Sequence, residues 1–285
     1  MSSQLDRELM QWVAHKTNVS THTIEKVISL LHEGNTVPFI ARYRKEVTGG
    51  LNEVQIKSIQ DTWQYAVNLA TRKQEVIRLI EEQGKMTEEL RREINQATQL
   101  QKVEDLYRPY KQKRRTRATI AKEKGLEPLA ELIWNEQSVD LAQEAIKYLS
   151  EEHDLHTVED VLAGVNDIVA EWISDHAKYR EWIREETFKR GIVRSELKDD
   201  TKDKKQVYQM YYEYQEPVRS MVSHRILALN RGEKEEVLRV VIEPPIERIL
   251  EFLQTSVIKP QADMSNQEFL RLAIEDRYSC VFGEP

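Results

Sequence analysis

Asn52 to Gly84 reads "NEVQIKSIQDTWQYAVNLATRKQEVIRLIEEQG". Asn52 is a side chain that accepts a backbone N–H at the start of a helix, and a helical pattern follows it from Glu53 to Gln83. Gly84 then supplies the residue type that ends helices, because it takes the left-handed conformation without a Cβ penalty. A helix of this length sets the expectation for the whole chain: mainly α.

The flanks carry the same punctuation. Upstream, Ser20 or Thr21 can cap "IEKVISLLHEG", where Ile24, Val27, Ile28, Leu30 and Leu31 keep helical spacing until Gly34. Pro38 suits the first position of a short helix, "PFIARYRKE", which turns Phe39 and Ile40 towards a core and Arg42, Arg44 and Lys45 to solvent. The two segments predict a helix-turn-helix-like pair. Downstream, Thr87 caps "EELRREINQATQLQKVEDLY", predicting a second long helix antiparallel to the first.

Composition agrees with this reading. The 285 residues are 40% hydrophobic and 32% charged, with 9 Gly and 8 Pro, a balance that favours helices over a turn-rich β-architecture. Cys280 is the single cysteine, which excludes an intrachain disulfide and a cysteine-based metal site. The amino terminus has no basic-then-apolar leader pattern and no run of 18 apolar residues occurs, so a soluble, cytoplasmic protein without membrane contact is expected.

One stretch opposes the overall charge of −7. From Arg108 to Lys124, "RPYKQKRRTRATIAKEK" sets eight Lys or Arg against one acid, Glu123, and leaves about −14 for the rest of the chain. Pro109 interrupts the preceding helix, and the stretch becomes helical again near "TIAKEKG", with Gly125 as terminator. Lys and Arg neutralise phosphates and release counterions, and Tyr107 and Tyr110 add rings that stack on bases. Arg108, Lys111, Lys113, Arg114, Arg115, Arg117, Lys122 and Lys124 are therefore the candidate nucleic-acid-binding residues. A solvated charged loop is the competing reading.

The rest divides into a helical unit at 126–197, a charged loop "KDDTKDKK" at 198–205 read as a hinge, and a mostly helical segment at 206–285. With the amino-terminal unit at 1–107 and the basic connector at 108–125, these complete the expected organisation. In the last segment, a helix from His224 to Asn230 has Gly232 just beyond its end, "VLRVVI" at 237–242 is the one short strand, and "SCVFGEP" looks unstructured. Tyr208, Tyr211, Tyr212 and Tyr214 have acidic flanks that repel phosphate, so they read as packing residues with hydroxyls at the surface.

Catalytic patterns are weak. His153 and His156 sit three apart in a loop-like "EEHDLH" without further ligands nearby, and Ser223 beside His224 lacks the glycines of a nucleophile elbow. Adjacent acids such as Glu185/Glu186 and Asp199/Asp200 diverge by about 100° on a helix and do not form an acid/base pair. No Walker sequence or GxGxxG occurs. Neither an enzyme nor a cofactor is expected.

Four blocks, in order, carry a resemblance: "GNTVPFIARYRKEVTGGLNEVQI" (34–56), "VEDLYRPYKQKRRTRATIAKEKGLEPLA" (103–130), "AGVNDIVAEWISD" (163–175) and "EPVRSMVSHRILALNRGEKEEVLRV" (216–240). They resemble the amino-terminal region of the bacterial Tex family of transcription accessory proteins. The resemblance implies a helical region with a helix-turn-helix-like element, related to the core of a eukaryotic elongation factor that accompanies RNA polymerase. It covers nearly the whole chain but less than half of the family architecture, which continues into RNase H-like, helix-hairpin-helix and OB-fold RNA-binding domains. A truncated Tex-like protein is the expectation. Its partners would be nucleic acid, RNA or DNA, and either RNA polymerase or the missing Tex domains.

Overall fold

The computed structural model describes residues 4–111, 115–136 and 138–282. They form fifteen α-helices and one three-stranded sheet, and the chain divides into two compact units, residues 1–107 and 108–285.

The first unit holds α1 (Gln4–Thr17), α2 (Thr21–His32), α3 (Val37–Tyr43), α4 (Lys45–Thr48), α5 (Glu53–Glu82), α6 (Glu88–Gln96) and α7 (Leu100–Tyr107). The long helix starts where its cap predicts. The Asn52 side chain accepts from Gln55 N–H at 2.9 Å, and the Gln55 side chain accepts from Asn52 N–H at 3.0 Å, a reciprocal capping box. At 30 residues and 1.5 Å of rise each, α5 is about 45 Å long. Its first half buries Ile56, Ile59 and Ala66 with Val13, Ile24, Val27, Ile28 and Ile40. Further along, Leu69, Val76 and Ile80 are buried, and α5 packs against α6 and α7.

Two expectations for this unit need correction. The stretch after Thr87 is two helices rather than one long helix: Ala97 turns extended (ψ 129°), and the Leu100 N–H is donated to the Tyr65 hydroxyl at 3.0 Å. A contact from α5 thus takes a donor that a continuous helix would use internally, an override that local propensity does not reveal. Phe39, expected in the core, is 38% exposed, whereas Ile40 is fully buried.

The second unit holds α8 (Arg117–Glu123), α9 (Glu127–Glu136), α10 (Leu141–Ile146), α11 (Val158–Asp175), α12 (Ala177–Arg190), β1 (Ile192–Leu197), β2 (Glu213–Pro217), α13 (Ser223–Lys234), β3 (Leu238–Glu243), α14 (Ile246–Val257) and α15 (Met264–Phe282). Its larger core is built around α11: Val161, Val165, Ile168 and Val169 are fully buried among Leu126, Leu129 and Ile133, and the cluster extends to Ile249, Leu270 and Ile274. Thr157 caps α11 by accepting from Asp160 N–H at 3.1 Å, and the Asp160 carboxylate accepts from Thr157 N–H at 2.9 Å. Helix α15 continues through Cys280 to Phe282, so the first part of "SCVFGEP" is helical rather than unstructured.

The sheet has order β2-β1-β3 with both pairings antiparallel, Val193 standing opposite Glu216 on one side and Ile242 on the other. Only the third strand is visible as a β-rich run in the sequence. "EYQEP" is poor in strand-forming residues and becomes β2 by pairing with β1. The 198–205 loop, read as a hinge, therefore connects regions of one sheet, and the Lys198 N–H is donated to the Val237 carbonyl at 2.7 Å. Helix α13 also runs past its expected end, with Gly232 inside it. A Cβ there would stand 2.5 Å from Leu238 Cδ1 and 3.2 Å from Tyr208 Cδ1, so this glycine permits close packing of α13 on the sheet instead of ending the helix.

The tyrosine cluster packs in this small core. Tyr208 and Tyr211 are buried. The hydroxyls meet acids: Tyr208 donates to Glu235 at 2.9 Å, Tyr212 to Asp203 at 3.0 Å, and Tyr214 to Glu216.

Candidate nucleic-acid interface

The basic stretch crosses from a single turn of 3-10 helix, Arg108–Tyr110, into α8. Thr116 caps α8, its hydroxyl oxygen accepting from Thr119 N–H at 3.1 Å. Helix α8 buries Ala118 and Ala121, small residues that let it lie close to α11. At Gly164 of α11 an added Cβ would meet Ala121 Cβ at 3.4 Å and Leu126 Cδ1 at 2.5 Å. Gly125, with φ of +81°, then turns the chain into α9.

This packing places the cations of the stretch against a row of acids on α11. Asp167, Glu171 and Asp175 are four residues apart, a spacing that puts them on one face of a helix. Arg117 Nε lies 3.2 Å from Asp167 Oδ1. Lys122 Nζ donates to Glu171 Oε2 at 2.9 Å, and the Thr116 hydroxyl donates to Oε1 of the same carboxylate at 3.4 Å. Arg108 Nε donates to Asp175 Oδ1 at 2.9 Å. Glu171 and Asp175 are buried, so Lys122 and Arg108 also neutralise charges that are costly to leave unpaired.

The other candidates divide differently. Arg115 pairs with Glu123 at 2.7 Å, both side chains exposed. Lys124 Nζ reaches the Asp154 carbonyl at 3.4 Å. Lys111 is exposed and forms no ion pair among the described residues. Lys113 and Arg114 lie outside the described residues. Four of the six described cations thus meet carboxylates, and the anomaly of charge in the sequence is largely balanced in space. The three acids of α11 were absent from the sequence-derived site, although their regular spacing in "NDIVAEWISD" is a readable signal.

No group of three or more His, Cys, Asp or Glu is placed to hold a metal ion among the described residues, and no helix among them is long and apolar enough to cross a membrane. His153 lies on the short turn closed by the Ser150–Leu155 bridge, and His156, just after that bridge, has its Nε2 at 2.8 Å from Asp154 Oδ1.

Fold and site define a mainly helical protein whose most distinctive chemistry is a cationic strap over an acid-bearing helix. The chain belongs to the Tex family: residues 7–81 match the Tex-like protein N-terminal domain, and residues 136–274 match the Tex central region-like model. It is 53% identical over 272 residues to the uncharacterized protein YdcI of Bacillus subtilis, covering 95% of this chain and 38% of the relative. It is 38% identical over 231 residues to the transcriptional accessory protein Tex of Neisseria gonorrhoeae, covering 81% and 30% respectively. A human relative, S1 RNA-binding domain-containing protein 1, is 28% identical over 248 residues, covering 84% and 24%. The chain therefore spans about a quarter to two fifths of the length of these relatives.

Proposed function

We propose that this chain is a non-enzymatic helical part of a Tex-like transcription accessory protein and supports nucleic-acid binding, with the basic strap as an auxiliary phosphate contact. The names of the Neisseria and human relatives, one transcriptional and one RNA-binding, support that setting. The observation that carries the phosphate contact is the exposure of Arg115 and Arg117, whose side chains are 69% and 65% accessible despite their pairs. The Arg115–Glu123 pair is exposed on both sides, and such pairs contribute about 0–1 kcal/mol, so an incoming phosphate displaces Glu123 at little cost and gains counterion release; Arg117 adds its exposed guanidinium while its partner Asp167 is 22% exposed. Arg108 and Lys122 have a different role, because their partners are buried acids of α11.

Filter-binding titrations with single- and double-stranded RNA and DNA across a salt series test this reading. Arg115→Ala/Arg117→Ala should weaken binding about equally for all sequences and reduce the slope of log K against log salt by about 1.5. Absence of wild-type binding at low salt overturns it.

A second reading, a scaffold that docks other Tex domains or RNA polymerase, is favoured by the exposure of Phe188 (61%) on α12 and Leu227 (68%) on α13. A pull-down against the separately expressed remainder of the Bacillus relative separates the two: association without oligonucleotide binding supports the scaffold.

A further inference from the structure

A second cationic surface, on α3 and α4, differs from the strap in one respect. Arg42, Arg44 and Lys45 are all exposed, and none forms an ion pair among the described residues. From Val37 to Gly50 the single acid is Glu46. Phe39 and Tyr43, one helical turn apart, stand among these cations at 38% and 58% exposure. Their ring centroids are 5.2 Å apart with planes tilted by 45°, and the Arg44 guanidinium lies 5.7 Å from the Phe39 centroid.

The surface is mounted on a fixed base. Ile40 is fully buried in the core of the first unit. The buried Thr48 donates its hydroxyl to the Arg44 carbonyl at 3.2 Å, and the Gly50 N–H is donated to the Lys45 carbonyl at 2.9 Å. Gly49 and Gly50 have φ of +69° and +84°, which close α4 in a turn that other residues adopt only with strain. Two large rings are therefore held at the surface although burial would be favourable.

We propose that this surface is a binding platform for single-stranded nucleic acid, with Tyr43 and Phe39 stacking on bases and Arg42, Arg44 and Lys45 meeting phosphates. Stacking requires bases with free faces, which single strands present and duplexes withhold. The charge is complementary to a polyanion, and no internal carboxylate has to be displaced. This platform is separate from the strap and does not depend on the strap's binding phosphate.

Fluorescence anisotropy of the 285-residue protein with a fluorescein-labelled oligouridylate, its oligothymidylate counterpart and a DNA duplex tests the platform. Tyr43→Ala should weaken single-strand binding about tenfold and leave duplex binding unchanged, whereas Tyr43→Phe, which keeps the ring, should bind as wild type. Arg42→Gln/Arg44→Gln/Lys45→Gln should lower the salt slope by about 2. Circular dichroism confirms that each variant is folded. The proposal is overturned if folded Tyr43→Ala binds single strands like wild type, or if wild type binds no oligonucleotide, which would leave the patch to a protein partner. Binding lost in Arg115→Ala/Arg117→Ala but retained in all α3 and α4 variants also overturns it, while sparing the strap. The converse pattern supports the platform and removes the strap.

Discussion

Asp203 shows how a residue's role depends on what its neighbours donate. It lies in a loop that reads as solvated charge, yet its side chain is buried and accepts from Val207 N–H at 2.8 Å, Tyr208 N–H at 2.7 Å and the Tyr212 hydroxyl at 3.0 Å. Desolvation pushes its carboxyl upward, but the donations from Tyr208, Val207 and Tyr212 outweigh it and hold the group below the ordinary carboxylate range. A lowered folded-state value contributes stability that is present above the unfolded pKa, about 3.9 for aspartate, and is lost as pH falls through the folded value. Asp203→Asn should therefore reduce stability at neutral pH and make the acid-side loss less steep, which urea midpoints measured from pH 7 down to pH 3 would reveal. Equal midpoints at every pH would show that the three donations add nothing. The acid was legible in "KDDTKDKK", but its partners were not, because two of the three donors are backbone N–H groups positioned by the turn that follows.

At the scale of elements, α8 and α11 decide what the basic stretch can do. The cations differ by the burial of the acid each one meets, a property that a list of charges does not contain. Lys122→Ala leaves Glu171, 7% exposed, without its main charge partner and should cost about 2 kcal/mol, below the ~3–5 kcal/mol of a fully buried pair because Lys122 itself is partly exposed. Arg115→Ala breaks an exposed pair and should cost under ~0.5 kcal/mol. Paired thermal and urea denaturation checks both values, and equal costs would dissolve the distinction between latching and available cations. Helix starts at Asn52 and Thr87 were legible because a cap is a local event. The break at Ala97 and strand β2 were not, since each depends on a partner distant in the chain.

For the whole molecule, the two units each hold a core of their own, one centred on Ile24, Ile40 and Ile56 and one on Leu129, Ile133 and Ile168. Ile24→Ala should destabilise by about 2–5 kcal/mol through lost burial and the cavity left behind. Hydrogen exchange followed by mass spectrometry should then show faster exchange in peptides from residues 4–107, with those from 115–282 unchanged. Equal acceleration in both would mean that the cores unfold as one. The mainly helical class was readable from composition and caps together. The three-stranded sheet was only one third visible, because two of its strands carry no β-rich run.

Helix α5 gives the first unit a mechanical property. It contacts α3 near its start, and its Arg72 holds α7 by a two-pronged bond to Glu104 at 2.5 and 3.0 Å and by stacking over the Tyr107 ring at 5.4 Å. No glycine or proline interrupts the rod between these attachments. The rod therefore ties the surface bearing Tyr43 to the Arg72 clasp on α7, and so to Tyr107 at the end of the unit, across about 30 Å with no joint built in between.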